Sequence, residues 1–222
     1  MQNQPDDSST SLANQNFEPI DDEDLRAEAG AAIRHLGHAL VGHHASPALL
    51  GRIAESVDKL ATELDVNGVR LRPGEDMTNI ENWEQTPDGE IMTSYPDRPI
   101  SGAASPWGVD LVIRRDGEGV IGTTTFRAAH EGAPGRAHGG VLAATFDDLF
   151  GFLNQLLGRH AFTGELTVRY EAPTPLNRPI DLRARVLRIE GRKLFLEAEA
   201  FDGETRFARS TAVFIRVERF IT

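Results

Sequence analysis

The 222-residue chain has no cysteine, which removes disulfides, thiolate metal sites and a cysteine nucleophile together. It also has no apolar run near the roughly 20 residues that a membrane span needs, so no membrane span is expected. Basic residues are in deficit, 23 Lys and Arg against 34 Asp and Glu for a net charge of -11, and they form no stripe suited to phosphates, so nucleic-acid binding is not expected. The imbalance is concentrated at the start. Residues 1–30 carry Asp6, Asp7, Glu18, Asp21, Asp22, Glu23, Asp24 and Glu28 against Arg26 alone. An acidic leader without a basic region or an apolar core is neither a secretory signal nor a transit peptide; the expected compartment is the cytoplasm. The G-x-S-x-G elbow of α/β-hydrolases and the second His of a zincin after His130 and Glu131 are also missing.

An apolar fraction of 40% supports a folded core, and the length suits one core domain with an accessory segment. Four stretches are expected. Residues 1–20 read as a flexible acidic tail, too polar to order themselves. Residues 21–66 read as a helical segment, because Leu25, Ala29, Ala32, Ile33, Leu36 and Leu40, then Leu49, Leu50, Ile53, Val57, Leu60 and Leu64, recur at helical spacing. A break falls around Gly42 to Ala45, with Ser46 and Pro47 suited to start the second helix. Both helices are expected to pack over a sheet face or the mouth of a cleft. Residues 67–108, with Pro73, Pro87, Pro96, Pro99 and Pro106, read as an irregular connector.

Over residues 109–222 the period changes to two. Val120, Gly122, Thr124 and Phe126 alternate with outward positions, as do Phe162, Leu166, Val168 and Tyr170, each set predicting one buried strand face. Strands over 180–189, 193–201 and 205–217 follow, separated by "EGRK" and "FDGET", turns so short that pairing must be antiparallel. The match of "GEGVIG" to a dinucleotide fingerprint fails, since a strand follows it where a helix is required. One long helix interrupts the strands, over 141–157. Leu142, Phe146, Leu149, Leu153 and Leu156 form its stripe, and Val141, Ala144, Phe152 and Leu157 extend the apolar surface around it, the mark of a buried helix. The fold expected is therefore α+β, an antiparallel sheet wrapped around a long central helix (the hotdog architecture) with an extra N-terminal helical segment.

The stretch "GRAHGGVLAATFDDLFGFLNQLLG" carries the chemistry. Gly139 and Gly140 after His138 let a ligand approach a helix N-terminus, whose first amides are unpaired donors at the positive end of the dipole. Such donors stabilise the charge that grows on a carbonyl oxygen during acyl transfer. A carboxylate inside this helix is costly unless partnered. Pattern favours Asp147, which shares its side with Ala143, Gly151 and Asn154, over Asp148, which is free to face water. The histidines His35, His38, His43 and His44 read as surface or core residues, and no metal site is expected.

With "GAPGRAHGGVLAATFDD", "FTGELTVRYEAPTPLNRPI" and "EGRKLFLEAEAFDGETRFARSTAVFI" in this order, residues 120–217 resemble the hotdog acyl-CoA thioesterases of the phenylacetate-pathway (PaaI-like) and mammalian thioesterase-superfamily-member type. The resemblance implies hydrolysis of acyl-CoA thioesters without a cofactor, in a homodimer (or a dimer of dimers) whose sites use residues of both subunits. It assigns the oxyanion amide to Gly139, next to His138, the base or nucleophile to Asp147, and the hydroxyl that holds water to Thr163. It sets the coenzyme along Arg169, Arg192 and Lys193, with Gly140 also contacting substrate. Two positions depart from it: Gly132 where many relatives carry Asn, and Glu171 where a cation would suit a phosphate. The alternative reading is a non-catalytic acyl-CoA binding or regulatory module, told apart by whether free thiol is released. Enoyl-CoA hydration would need an Asp and a His in a motif not found here.

Overall fold

The computed structural model describes residues 22–70, 86–158 and 160–217; the tail expected over 1–20 and part of the connector lie outside them. Helix α1, Glu23–Gly42, starts where the Asp22 carboxylate accepts the amides of Asp24 and Leu25, each at 3.0 Å. Helix α2, Pro47–Asp65, starts where Ser46 Oγ accepts the Leu49 amide at 3.3 Å, with Pro47 in the first turn. The described part of the connector makes no helix or strand beyond an isolated bridge from Ile91 to Arg114.

Six strands follow: β1 Val112–Asp116, β2 Gly119–Thr125, β3 Ala161–Tyr170, β4 Pro179–Glu190, β5 Lys193–Asp202 and β6 Thr205–Arg216. They form one antiparallel sheet in the order β1-β2-β4-β5-β6-β3. Three of the hairpins turn on two residues led by a glycine at positive φ, Gly117, Gly191 and Gly203, the geometry that matches the twist of paired strands. Helix α3, Gly139–Leu156, lies across the sheet and contacts β2 to β6. Leu142, Phe146, Leu149 and Leu153 are buried against it. Gly122 permits this approach, because a Cβ there would meet Leu111 at 2.9 Å and Leu149 at 3.2 Å.

Two expectations change. The face Phe162, Leu166, Val168 and Tyr170 is not a buried one: Phe162 and Tyr170 are about half exposed, 49% and 51%. β3 is an edge strand bonded to β6 alone, and a bulge between Thr163 and Glu165 shifts its phase. Likewise only α1 packs on the core, and it does so through its polar face. Gly30, Arg34 and His38, spaced by four, lie inward, while Leu25, Ile33 and Leu40 of the expected stripe are exposed. Arg34 donates to the carbonyl of Ala103 at 2.8 Å and to that of Ser105, and a Cβ at Gly30 would fall 2.4 Å from the Ala104 oxygen. α2 buries none of its residues.

His38 Nδ1 accepts the Ala129 amide at 3.1 Å, and its ring meets His130 edge-on at 4.6 Å between centroids. His130 Nδ1 in turn accepts the Arg127 amide at 3.2 Å. Burial, then the neighbouring His38 and Arg127, push the His130 pKa down from 6.5 to about 4. The unfolded chain therefore binds more protons in that window, and stability that is complete above pH 6.5 is lost as pH falls towards 4. The loss attributable to His130 is expected to be on the order of 3 kcal/mol. His130→Asn keeps an acceptor for Arg127, and its urea midpoint between pH 6.5 and 4 should fall less steeply than that of the parent chain; parallel slopes would assign the acid sensitivity elsewhere.

Candidate active site

α3 begins on a self-made cap. His138 Nδ1 accepts the Gly140 amide at 3.0 Å, and the His138 carbonyl accepts the amide of Val141 at 3.0 Å. That leaves the Gly139 N–H with no acceptor among the described residues, at the positive end of a buried helix. Gly140, expected to contact substrate, has its amide occupied by His138. The cap also explains the departure at Gly132: a Cβ there would lie 2.8 Å from the His138 Cα, so an asparagine would displace the loop that sets the cap. Tyr170, at the end of β3, was not singled out by sequence. Its hydroxyl donates to the Gly139 carbonyl at 2.6 Å, and its ring stands 3.0 Å from the position of a Gly139 Cβ. Burial raises its pKa above the usual value.

Asp147 lies two turns further along α3, half-buried, and accepts the Thr163 hydroxyl at 2.7 Å. The structure thus brings the expected acid and hydroxyl together. Asp148 is the correction. It was expected to be free to face water, but it is the more deeply buried of the pair at 9% exposure. Its partner comes from the connector: Arg98 Nε donates to Asp148 Oδ1 at 2.9 Å, and an Arg98 terminal nitrogen donates to the same oxygen at 2.5 Å. The guanidinium lies 4.6 Å from the centre of the Phe152 ring, in space that a Cβ on Gly151 would enter at 2.6 Å. A cavity of about 220 Å³ opens beside Asp147, Arg98, Thr163 and Phe214.

The cations expected to meet the coenzyme do not share one patch. Lys193 pairs with Ile215, which pairs with Phe162, so Lys193 and the neighbouring Arg192 lie at the Thr163 end of the sheet. Arg169 lies seven residues along β3 from Phe162, about 23 Å away at 3.3 Å per residue. Arg169 is instead near Gly139 and Tyr170, where Glu171 accepts from Arg206 at 2.7 Å and pairs with Arg209 at 2.9 Å. The Arg206 hydrogen bond, aided by the charges of Arg206, Arg209 and Arg169, holds the Glu171 carboxyl below its usual pKa. The acid that argued against phosphate here is neutralised by its neighbours.

Among the described residues, no three His, Asp or Glu side chains gather as metal ligands, and no helix is long and apolar enough to cross a membrane.

An antiparallel sheet enclosing one buried helix, with a free amide at the helix start and a carboxylate within it, defines the hotdog class. Residues 134–208 match the model of the family described as the Thioesterase superfamily. The Mus musculus protein named acyl-coenzyme A thioesterase THEM5 is 36% identical over 90 residues, which are 40% of this chain and 36% of that relative. The Mus musculus protein named acyl-coenzyme A thioesterase THEM4 is 33% identical over 90 residues, 40% of this chain and 39% of that relative. The matches therefore span little more than a third of those relatives. The crystal structure of a thioesterase superfamily protein superposes with a TM-score of 0.71 at 25% identity, over 86% of this chain and 90% of its own. That coverage reaches well beyond residues 109–222, into the N-terminal helices and connector.

Proposed function

We propose that the chain hydrolyses acyl-CoA thioesters to a free acid and coenzyme A. The unpaired Gly139 amide at the start of α3 carries the reading: it is a donor with no structural use, aimed along the dipole of a buried helix. Asp147 would act as general base on water or as nucleophile, with Thr163 orienting it. His138 positions Gly139 through the cap and does not itself need to meet the substrate. The names of the curated relatives favour acyl-CoA as the substrate class.

The site is composite in this proposal. Gly139 and Asp147 are eight residues apart on one helix, about 12 Å along its axis, whereas both must come within about 3 Å of one thioester group. One copy therefore supplies the amide and another the acid. The free edge of β3 supports the homodimer, since a ten-residue strand bonded on one side alone offers a row of donors and acceptors to a second copy. The cytoplasm, expected from the sequence, remains the proposed compartment.

Complementation tests this arrangement. Gly139→Pro removes the amide at a first-turn position whose backbone suits proline, with the Tyr170 ring, 3.0 Å from the Gly139 Cβ position, having to give by a few tenths of an ångström, and His138 already has the extended backbone, φ -67° and ψ 130°, that precedes proline. Gly139→Pro and Asp147→Asn should each be inactive alone. Refolded together, they should regain about a quarter of the parental activity, because half the random dimers carry one intact site of two. Activity in neither singles nor mixture would exclude the composite site, as would a monomer by light scattering.

A further inference from the structure

The first turn of α3 separates two cavities of opposite character. On one side, about 350 Å³ is bordered by Arg136, Gly139, Tyr170 and Glu171, with the arginines around Glu171 close by. On the other side, a cavity of about 420 Å³ runs from His138 and Gly140 down the flank of α3 past Val141 and Ala144. Its far wall is not part of the sheet and helix at all: it is α1, through Arg34, Gly37 and His38, with Ile100 of the connector and Val109 just after it alongside.

The polar groups in this second wall are already engaged within the protein. Arg34 donates to two connector carbonyls and pairs with Asp110 at 3.4 Å. His38 and His130 accept backbone amides, and burial lowers the pKa of both, that of His130 to about 4. The Arg34 charge is thus directed at Asp110 and the connector carbonyls, and Gly37, Ile100, Val109, Val141 and Ala144 give the rest of the lining an apolar character. A thioester of coenzyme A divides in the same way, with an anionic carrier on one side of the carbonyl and an acyl chain on the other.

We propose that the acyl chain of the substrate occupies the cavity between α1 and α3, so that α1 sets the chain length accepted. The proposal rests on the thioesterase reading for the identity of the ligand. At about 30 Å³ per methylene-sized unit, comparable with the share of a water molecule, the cavity of about 420 Å³ has room for a medium acyl chain of up to about 14 carbons. Gly37 is the residue on which this turns. It lines the void, and a Cβ added to it meets nothing within 4 Å. A leucine there would fill the cavity without displacing protein, and it favours the helix over glycine.

The test uses the full chain and non-hydrolysable thioether analogues of acetyl-, octanoyl- and dodecanoyl-CoA, with binding measured by calorimetry and thiol release measured on the matching thioesters. In Gly37→Leu, octanoyl and dodecanoyl affinity relative to acetyl should fall about ten-fold or more, since the methylenes lose their burial, with Gly37→Ala between the two. The ratio of kcat/KM for octanoyl to acetyl should fall in parallel. An unchanged ratio in a variant that melts at or above the parental temperature overturns the assignment of the cavity. Chain-length-dependent binding that Gly37→Leu weakens, without thiol release by the parent chain, supports the cavity and overturns hydrolysis instead.

Discussion

Asp147→Asn is expected to lower thiol release from acyl-CoA by roughly 10³-fold or more while leaving the melting temperature within a degree or two of the parent. The amide oxygen of asparagine still accepts the Thr163 hydroxyl, which lies 2.7 Å from Asp147 Oδ1, so the contact that fixes the side chain survives. What is lost is a basic oxygen able to take a proton or attack a carbonyl carbon. The partial burial of the site matters to the same result, because an uncharged replacement removes no charge that the fold depends on. Thiol release by the variant at the parental rate would take Asp147 out of the mechanism. Activity that falls together with helix content would instead mark Asp147 as structural.

The largest effect on stability is expected at Arg98. Asp148 accepts two hydrogen bonds on Oδ1, both from Arg98, and its Oδ2 is buried without a partner among the described residues. Arg98→Ala leaves a carboxylate at 9% exposure with no compensating cation, a change that typically costs 3–5 kcal/mol, read as a lower urea midpoint. Arg98→Met with Asp148→Leu should recover most of that loss, since removing both charges leaves an apolar surface beside Phe152. A single variant as stable as the parent would show that the pair contributes nothing to holding the connector against α3. A rescue should also return activity, because Arg98 borders the cavity beside Asp147.

These two residues show what was legible in the sequence and what was not. The buried helix, the antiparallel hairpins and the start of the second N-terminal helix follow from local pattern: apolar residues on all sides, short turns between strands, Ser46 and Pro47 at the helix start. The resemblance pointed to Asp147 and Thr163 separately, and the structure adds the hydrogen bond between them. The partner of Asp148 is 50 residues away in an irregular connector, where no periodicity ties a single arginine to one of two adjacent aspartates. The only local sign was Gly151, whose missing side chain makes room for the guanidinium. The inward face of α1 was misread for a related reason. Hydrophobic spacing identifies the face that gains most from burial, but this helix docks through a glycine, an arginine and a histidine that find carbonyls and amides on the core. β3 misled by being an edge: its alternation is real, but on a strand bonded to β6 alone Phe162 and Tyr170 stay about half exposed.

The polar footing of α1 has a calorimetric consequence. Undocking α1 would break the Arg34 and His38 hydrogen bonds and expose little apolar surface from its own inward face. Since heat capacity rises with apolar exposure and falls with polar exposure, such an opening should have nearly constant enthalpy and a population that grows smoothly with temperature. The core, which buries phenylalanines and leucines between α3 and the sheet, should instead melt with the steep heat-capacity step of an ordinary domain. Two events so different in kind should separate in a scanning experiment, with the wall loosening at temperatures where the helix and sheet behind it are still intact.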